Sequence, residues 1–522
     1  MVNQGKYGKK IIYKLNTTSN KKRVLIFIVS FKAEEYISSV LNRIPEEIRL
    51  NPNFDVEVLV IDDQSGDRTF QQAEEYAARV GDLKITVLYN PQNQGYGGNQ
   101  KIGYHYAVKM NFDAVILLHG DGQYPPEYIE QLVIPLLNNQ ADAVLGSRMI
   151  NKRAALKGGM PFYKWIGNQI LTKLQNQILG ANLAEFHTGY RAYRVDALKS
   201  IPFDLNSNYF DFDTEIIIQL LDTHKRIVEI PIPTYYGGEV SRVNGYKYGA
   251  LILKTSILSR IMRLGIFYNP KFDYVAENTK NLTKFGYDSS HQFAIERILP
   301  NSIVLELGCG LGVMAAELAK KHVRTISVDK YITPIVQENS AQTIEVDLDV
   351  FDFDSGPKEV DTILMLDIIE HLREPEEILK KIRRRYSGKK PQVILTTGNI
   401  AFLPIRMALM LGQFNYGRRG ILDLNHTRLF TFYSLRRTLI QGGYEIYEER
   451  GIPAPFYLAL GERPIADILM GVNRFLIRIS KTLFAYQVAV IAKPTPTLEV
   501  LLERAVQSGK EKAEEVRPIA SK

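Results

Sequence analysis

The chain has 522 residues, 45% hydrophobic and 23% charged, an ordinary globular composition with room for two or three cored domains. Its net charge of +8 suits anionic nucleotides or an acidic membrane surface; with no zinc-finger spacing and no aromatic RNA-binding signature, nucleic acid is not an expected partner. The single cysteine, Cys309, excludes an intramolecular disulfide and points to a reducing, cytoplasmic compartment.

Residues 1–22 read as a basic tail without the apolar core of a signal peptide: the first 23 positions carry seven Lys or Arg and no acid. Apolar runs of strand length follow at Val24–Ser30, Val56–Ile61, Ile85–Leu88, Ala114–Leu118 and Ala143–Leu145. A second series comes at Ile303–Leu307, Thr325–Val328, Thr343–Val346, Thr362–Leu366 and Val393–Leu395. Segments such as Thr69–Val80 and Pro375–Tyr386 are long enough for crossover helices, so an α/β architecture with two parallel sheets, each covered on both faces, is predicted. The first domain is expected over 23–245, an amphipathic linker over 246–289 with the seam near 280, the second domain over 290–495, and a charged tail, frayed helix or disordered, over 496–522. No stretch of about 20 residues lacks charge, so no spanning helix is predicted. The apolar run Ala401–Gln413 and the basic, amphipathic run Ile465–Thr482 suit core or lid helices, or contact with a lipid-linked substrate or the inner face of a membrane.

The second apolar run opens into Asp62-Asp63-Gln64-Ser65, where α/β sheets bind ligands and where carboxylates can accept hydrogen bonds from a base or ribose. Asp67 and Thr69 serve equally well as a cap for the next helix. Asn93–Asn99 is glycine-rich and precedes a helical pattern, as a flexible turn or a phosphate-facing helix start would. The fourth run delivers His119-Gly120-Asp121-Gly122-Gln123; in an extended backbone His119, Asp121 and Gln123 share a side and can hold Mg²⁺ or Mn²⁺ beside a diphosphate. Arg148 and Arg191 offer guanidinium groups to phosphate oxygens, and Glu215, in the acidic segment Phe210–Glu215, is the general-base candidate for a hydroxyl acceptor.

Ile28–Phe31 with Glu34-Glu35, Val60–Ser65, His119–Glu127 and Thr188–Arg194 together resemble the family 2 glycosyltransferases, most of all the dolichyl-phosphate-mannose-synthase-like branch, over about 24–240. The resemblance implies a GT-A fold, a divalent metal, a nucleotide-sugar donor and a glycan or polyprenyl-phosphate-type acceptor. It places Asp63 near the nucleoside and the glycine segment near the donor pocket; with the residues read above, the expected nucleotide-sugar site is Asp62, Asp63, Gly97, Asp121, Arg148 and Arg191, with Asp121 also catalytic. The metal would fall on His119, Asp121 and Gln123, His119 standing where the family has an aspartate.

In the second series, Glu306-Leu307-Gly308-Cys309-Gly310-Leu311-Gly312 joins a strand to a helical pattern, and its glycines permit a tight turn close to a ligand. Asp329 ends the next strand, placed to hold ribose hydroxyls; Asp347 ends the third and Asp367 the fourth. These residues resemble the class I methyltransferases over about 290–495, with a Rossmann-like fold. The resemblance implies S-adenosylmethionine held by Glu306, Gly308, Gly310, Asp329, Asp347 and Asp367. Cys309 reads as a buried filler. His426, in the block Gly412–Thr431 shared with one subgroup, is the acid/base candidate. The expectation is a bifunctional enzyme of glycan or lipid-linked glycan assembly; the alternative is a methyltransferase whose first domain binds a nucleotide sugar without turning it over.

Overall fold

A computed structural model describes residues 21–235, 245–263, 268–273, 285–461 and 464–516, with side chains to residue 508. Most of the basic tail and the segment around the seam near 280 lie outside these residues. The chain divides into two compact units, the division falling after Arg260, with Asn269 to Asp273 counted to the first.

The first unit is built on seven strands: β1 (Lys22–Ser30), β2 (Phe54–Asp62), β3 (Lys84–Tyr89), β4 (Ala114–His119), β5 (Ala143–Ser147), β6 (Arg191–Arg194) and β7 (Ile227–Pro231), in the order β3-β2-β1-β4-β6-β5-β7. Alternation along β1 shows why a continuous apolar run is needed: Val24, Ile26 and Ile28 enter one core, Leu25 and Phe27 the other. In β4, Ala114, Ile116 and Leu118 likewise face the first core, and Val115 and Leu117 the second. Parallel register sets Ser30 beside Asp62 and Val29 beside His119, so the polar residues that end these strands share one edge.

The second unit has β8 (Ile303–Leu307), β9 (Arg324–Asp329), β10 (Gln342–Glu345), β11 (Thr362–Leu366), β12 (Gln392–Gly398), β13 (Tyr444–Ile452) and β14 (Gln487–Pro494), ordered β10-β9-β8-β11-β12-β14-β13. Its first five strands follow a dinucleotide-binding order that reverses at β8, and ligands bind at such reversals beyond the carboxyl ends.

The α/β architecture with covered faces is as predicted, but neither sheet is wholly parallel. β6 runs antiparallel between β4 and β5, and β14 antiparallel between β12 and β13. β6 is four residues, Arg-Ala-Tyr-Arg, too short and too charged to read as an apolar run. The predicted crossover helices form over Thr69–Arg79 and Pro375–Tyr386, and a helix, Leu498–Val516, follows β14. Among the described residues no helix is long and apolar enough to cross a membrane.

The helix Gly95–Lys109 lies against β1 so closely that a Cβ on Gly103 would fall 2.1 Å from the fully buried ring of Phe27. Alanine for glycine within a helix ordinarily gains up to ~1 kcal/mol, but overpacking of this kind costs ~1–3 kcal/mol. Gly103→Ala should therefore lower the urea midpoint of the first unit; a raised midpoint would mean that Phe27 moves aside freely.

Candidate functional sites

At the carboxyl edge of β2 the two aspartates do different structural work. Asp62 is buried and accepts from the Ser65 N–H (3.1 Å) and hydroxyl, closing the turn that Gln64 enters with φ +60°. Burial raises the pKa of its carboxyl. Asp63 accepts from Asn90 Nδ2 (2.8 Å), Gln94 N–H (2.8 Å) and Gly95 N–H (3.0 Å), so it anchors the start of helix Gly95–Lys109 to the sheet. Asp67 accepts from Thr69 N–H at 3.0 Å and from its hydroxyl at 2.6 Å, closing a turn just before the following helix, whose N-cap is Arg68.

His119 ends β4 inside an aromatic enclosure. Its Nε2 lies 3.4 Å from the Tyr96 hydroxyl, which donates to Asp213 Oδ2 at 3.0 Å; Asp213 Oδ1 accepts from Gln100 Nε2 at 3.2 Å. Tyr124 stands edge-on to the imidazole at 5.0 Å, and a Cβ on Gly189 would lie 2.6 Å from Nε2, so only glycine leaves room for the ring. Burial lowers the His119 pKa, with Asp121 and Asp213 opposing, and the imidazole is neutral at pH 7. Tyr96, Gln100 and Tyr104 follow one another at steps of four on one helix face, with Tyr104 donating to Gln100 Oε1 at 2.9 Å. That spacing was the available signal for a polar row, hidden in the sequence by the more prominent glycines.

His119, Asp121 and Gln123 do not form one extended, alternating row. The strand stops at His119, Gly122 takes φ +75°, and Asp121 Oδ1 accepts from Gln123 N–H at 3.1 Å, turning the chain. Asp121 is half-buried at the edge. Among the described residues no three His, Cys, Asp or Glu side chains gather as a protein cage for a metal. The residues fit the other way of holding such an ion, with Asp121 as the anionic ligand, a neutral imidazole beside it and the remaining ligands from a diphosphate and water.

Four expectations are revised. Arg191 is fully buried, donating to the carbonyls of Thr188 (2.6 Å), Asp213 (2.8 Å) and Phe186 (2.9 Å) and lying 3.5 Å from Asp213 Oδ2, so it braces the site from below instead of meeting phosphate. Glu215, two residues past Asp213 on the helix Phe212–Asp222, faces elsewhere: it accepts from Ser207 N–H (2.6 Å) and pairs with Lys271. Gly97 packs where a Cβ would lie 2.4 Å from the Ser207 carbonyl, and its N–H donates to Asn208 O (2.8 Å), which accounts for the glycine without a phosphate. Arg148 closes on Glu185 through its backbone N–H (2.7 Å) and guanidinium, and reaches His187 O at 2.9 Å.

In the second unit the turn after β8 places Gly308, Gly310 and Gly312 at φ +77°, +51° and +82°. A Cβ on Gly308 would meet Ile368 at 2.6 Å, whereas the space over Gly310 is open. Asp329 ties the turn to β9: Oδ2 accepts from Gly310 N–H at 2.8 Å and Oδ1 from Tyr331 N–H at 3.1 Å. Each oxygen keeps a lone pair, an acceptor to which a ribose hydroxyl can donate. An open turn beside a carboxylate fits S-adenosylmethionine. Asp347 is half-buried just beyond β10, the third strand of the unit, and the pKa of its carboxyl is lowered by the Asp349 N–H and by Lys330. Glu306 lies beneath the turn, bonded by Ser327 Oγ at 3.2 Å and pushed up to about 8 by burial, so it supports the loop in protonated form at neutral pH. Cys309 is buried, its thiol pushed up to about 12 by burial beside Glu306 and Asp329.

Asp367 adopts φ +53°, which L side chains occupy only when over-determined. Its carboxylate accepts from Thr396 Oγ1 (2.7 Å), Gln487 Nε2 (2.8 Å) and Ser290 Oγ (3.1 Å), donors drawn from three distant segments that the sequence reading did not single out. His426 meets His371 edge-on at 4.7 Å, and their Nδ1 atoms lie 2.9 Å and 3.1 Å from the carbonyls of Ile421 and Asn425. The Ile421 carbonyl fixes the Nδ1–H tautomer of His426 and leaves its Nε2 as an acceptor. Burial lowers the His426 pKa, keeping it a neutral base at pH 7.

Residues 25–201 match the model of the family described as Glycosyl transferase family 2, and residues 282–449 that described as Methyltransferase domain. The chain is 30% identical over 213 residues to an undecaprenyl-phosphate mannosyltransferase of Micrococcus luteus, covering 40% of this chain and 82% of the relative. It is 26% identical over 225 residues to a UDP-N-acetylglucosamine–dolichyl-phosphate N-acetylglucosaminyltransferase of Methanococcus voltae, covering 41% and 86%. A SAM-dependent methyltransferase structure from Archaeoglobus fulgidus aligns at 16% identity and a TM-score of 0.26, covering 38% of this chain and 90% of that one.

Behind Arg148 and Glu185, burial lowers His187 from its ordinary 6.5 to about 4, with Glu185 opposing and Arg191 and Arg148 reinforcing. Its Nε2 is buried without a hydrogen-bond partner among the described residues, and its Nδ1 lies 3.0 Å from the Tyr248 hydroxyl. Between these two values the unfolded chain takes up a proton that the folded chain refuses. Stability should therefore decrease as the pH is lowered through this window, at up to ~1.4 kcal/mol per unit. Denaturation midpoints from pH 7 to 4 should show a shallower fall in His187→Gln than in the parent; identical slopes would contradict the assignment.

Proposed function

The chain belongs to glycosyl transferase family 2 and carries a methyltransferase domain beyond it, and from this premise we propose a bifunctional transferase of lipid-linked glycan assembly. The first domain, over 23–245, moves a sugar from a nucleotide donor to a polyprenyl-phosphate-type or glycan acceptor. The second, over 290–495, moves a methyl group from S-adenosylmethionine to a related product. The observation that carries the reading is that each unit sets an aspartate, Asp121 or Asp329, at the carboxyl edge of its sheet, where it holds the adjoining turn through backbone N–H groups and keeps acceptor capacity for a ligand. The acceptor class is supported by the two relatives, whose names specify undecaprenyl and dolichyl phosphates.

In the first site Asp121 would hold a divalent cation, which neutralises charge on a departing nucleoside diphosphate. Asp62 and Asp63 shape the edge facing the nucleoside; burial keeps His119 neutral, and Tyr96, held by Asp213, orients it. In the second, Asp329 holds the cofactor ribose. Orientation of the nucleophile contributes most to methyl transfer, and His426 Nε2 accepts the proton of a hydroxyl acceptor.

Two measurements test the reading. Asp329→Ala removes two ribose hydrogen bonds, leaving the hydroxyls unpaired at a total cost of ~1–3 kcal/mol; calorimetry should show S-adenosylmethionine affinity down by at least about fivefold, and unchanged affinity would remove Asp329 from the site. Asp121→Ala should lower Mn²⁺- or Mg²⁺-dependent turnover of GDP-, UDP- or dTDP-sugars with polyprenyl phosphate by orders of magnitude. A parent that turns over no donor while His119→Asp does would instead identify the first domain as a binding module.

A further inference from the structure

The helix Pro464–Ile479 has two apolar faces, only one of which the fold uses. Ala466 and Met470 are buried, and Asn473 ties the helix down by accepting from Ala454 N–H (2.9 Å) and donating to Phe484 O (2.9 Å). On the other side Ile465, Ile468, Val472, Phe475 and Ile479 recur at steps of three and four and stand in solvent, Ile468 at 65% and Phe475 at 61% exposure. A helix at a water-facing surface carries polar residues there, and a contiguous exposed apolar stripe marks an interaction surface.

We infer that this stripe docks on an anionic lipid bilayer, bringing the methyltransferase site to a membrane-borne acceptor. Charge decides the occupant. Arg474 and Arg478 flank the stripe, and the helix's one acid, Asp467, is engaged by the Tyr457 hydroxyl. Around it Asp288 is shared by Arg450 and Arg474, and Glu449 by Arg436 and Lys481, so each cluster remains a net cation. Cations beside an apolar row match the headgroup and acyl layers of an acidic membrane. A two-fold contact with a second copy would set these cations against themselves. The helix Leu403–Met410 adds exposed Met407, Met410 and Leu411, and its Phe402 and Ile405 share a small core with Ala454, to which Asn473 is tied. Both helices leave the sheet at the edge where Gln487 holds Asp367. The acceptor class follows: an amphiphile held in the bilayer, not a free sugar. This class rests on the methyltransferase reading, whereas the docking itself does not.

The test is flotation of the full chain with vesicles of phosphatidylcholine alone or mixed equally with phosphatidylglycerol. The parent should float with the mixed vesicles and far less with the neutral ones. Val472→Glu/Phe475→Glu should cut flotation by about tenfold or more while S-adenosylmethionine binding, measured by calorimetry, stays at the parent's value. Should that variant fail to fold, Arg478→Glu decides: flotation on the mixed vesicles should fall several-fold. A parent that stays at the bottom, variants that float as well as the parent, or a parent dimer that Val472→Glu/Phe475→Glu splits into monomers would overturn the proposal. Loss of S-adenosylmethionine binding in the parent would count against the proposed function and leave the flotation result to stand by itself.

Discussion

The first site depends on one buried ion pair. Arg191 enters from a short antiparallel strand with no solvent contact, and Asp213 beside it is the acceptor for Tyr96 and Gln100. Removing either partner would leave the other as an uncompensated buried charge, at ~3–5 kcal/mol. The arginine also satisfies three carbonyls of the irregular chain around 186–188 and 213, and so joins that loop, the helix Phe212–Asp222 and β6. Tyr96 then carries the arrangement to His119. The His119 imidazole is thus positioned by a built network of buried side chains.

The two units reach a comparable solution with different residues. In each, a carboxylate at the end of a strand accepts N–H groups from a neighbouring loop: Asp63 from Gln94 and Gly95, Asp329 from Gly310. A parallel sheet leaves its loops at one edge with unpaired amides, and an acid there both satisfies them and fixes the loop that faces the ligand. Asp329 accepts one N–H on each oxygen and keeps further lone pairs free of the backbone bonds. Asp63 is already occupied by three donors, so its contribution to ligand binding runs mainly through the shape of the helix start.

Much of this was legible in the sequence because it is local. Long apolar runs located ten of the fourteen strands among the described residues, and the spacing from the glycine turn to Asp329 matches a contact that the structure makes, Gly310 N–H to Asp329. What was not legible is set by contacts distant in the chain. Arg191 looked like a phosphate ligand because a buried arginine is rare, and its role depends on Asp213, 22 residues away. Glu215 and Asp213 could not be told apart until the helix phase was known. Asp367 is held by Ser290, Thr396 and Gln487, whose only common feature is where the sheet brings them. The alternation assigned to His119, Asp121 and Gln123 failed at Gly122, whose positive φ turns the chain.

The central claim is that two transfer steps meet on one lipid-linked product. The direct measurement supplies the full chain with polyprenyl phosphate in anionic vesicles, a nucleotide sugar and methyl-labelled S-adenosylmethionine, and follows the label into the lipid fraction. The account predicts that label appears there only when the nucleotide sugar is present. Label that enters the lipid fraction equally without the sugar donor, or none in a reaction where sugar transfer proceeds, would contradict it.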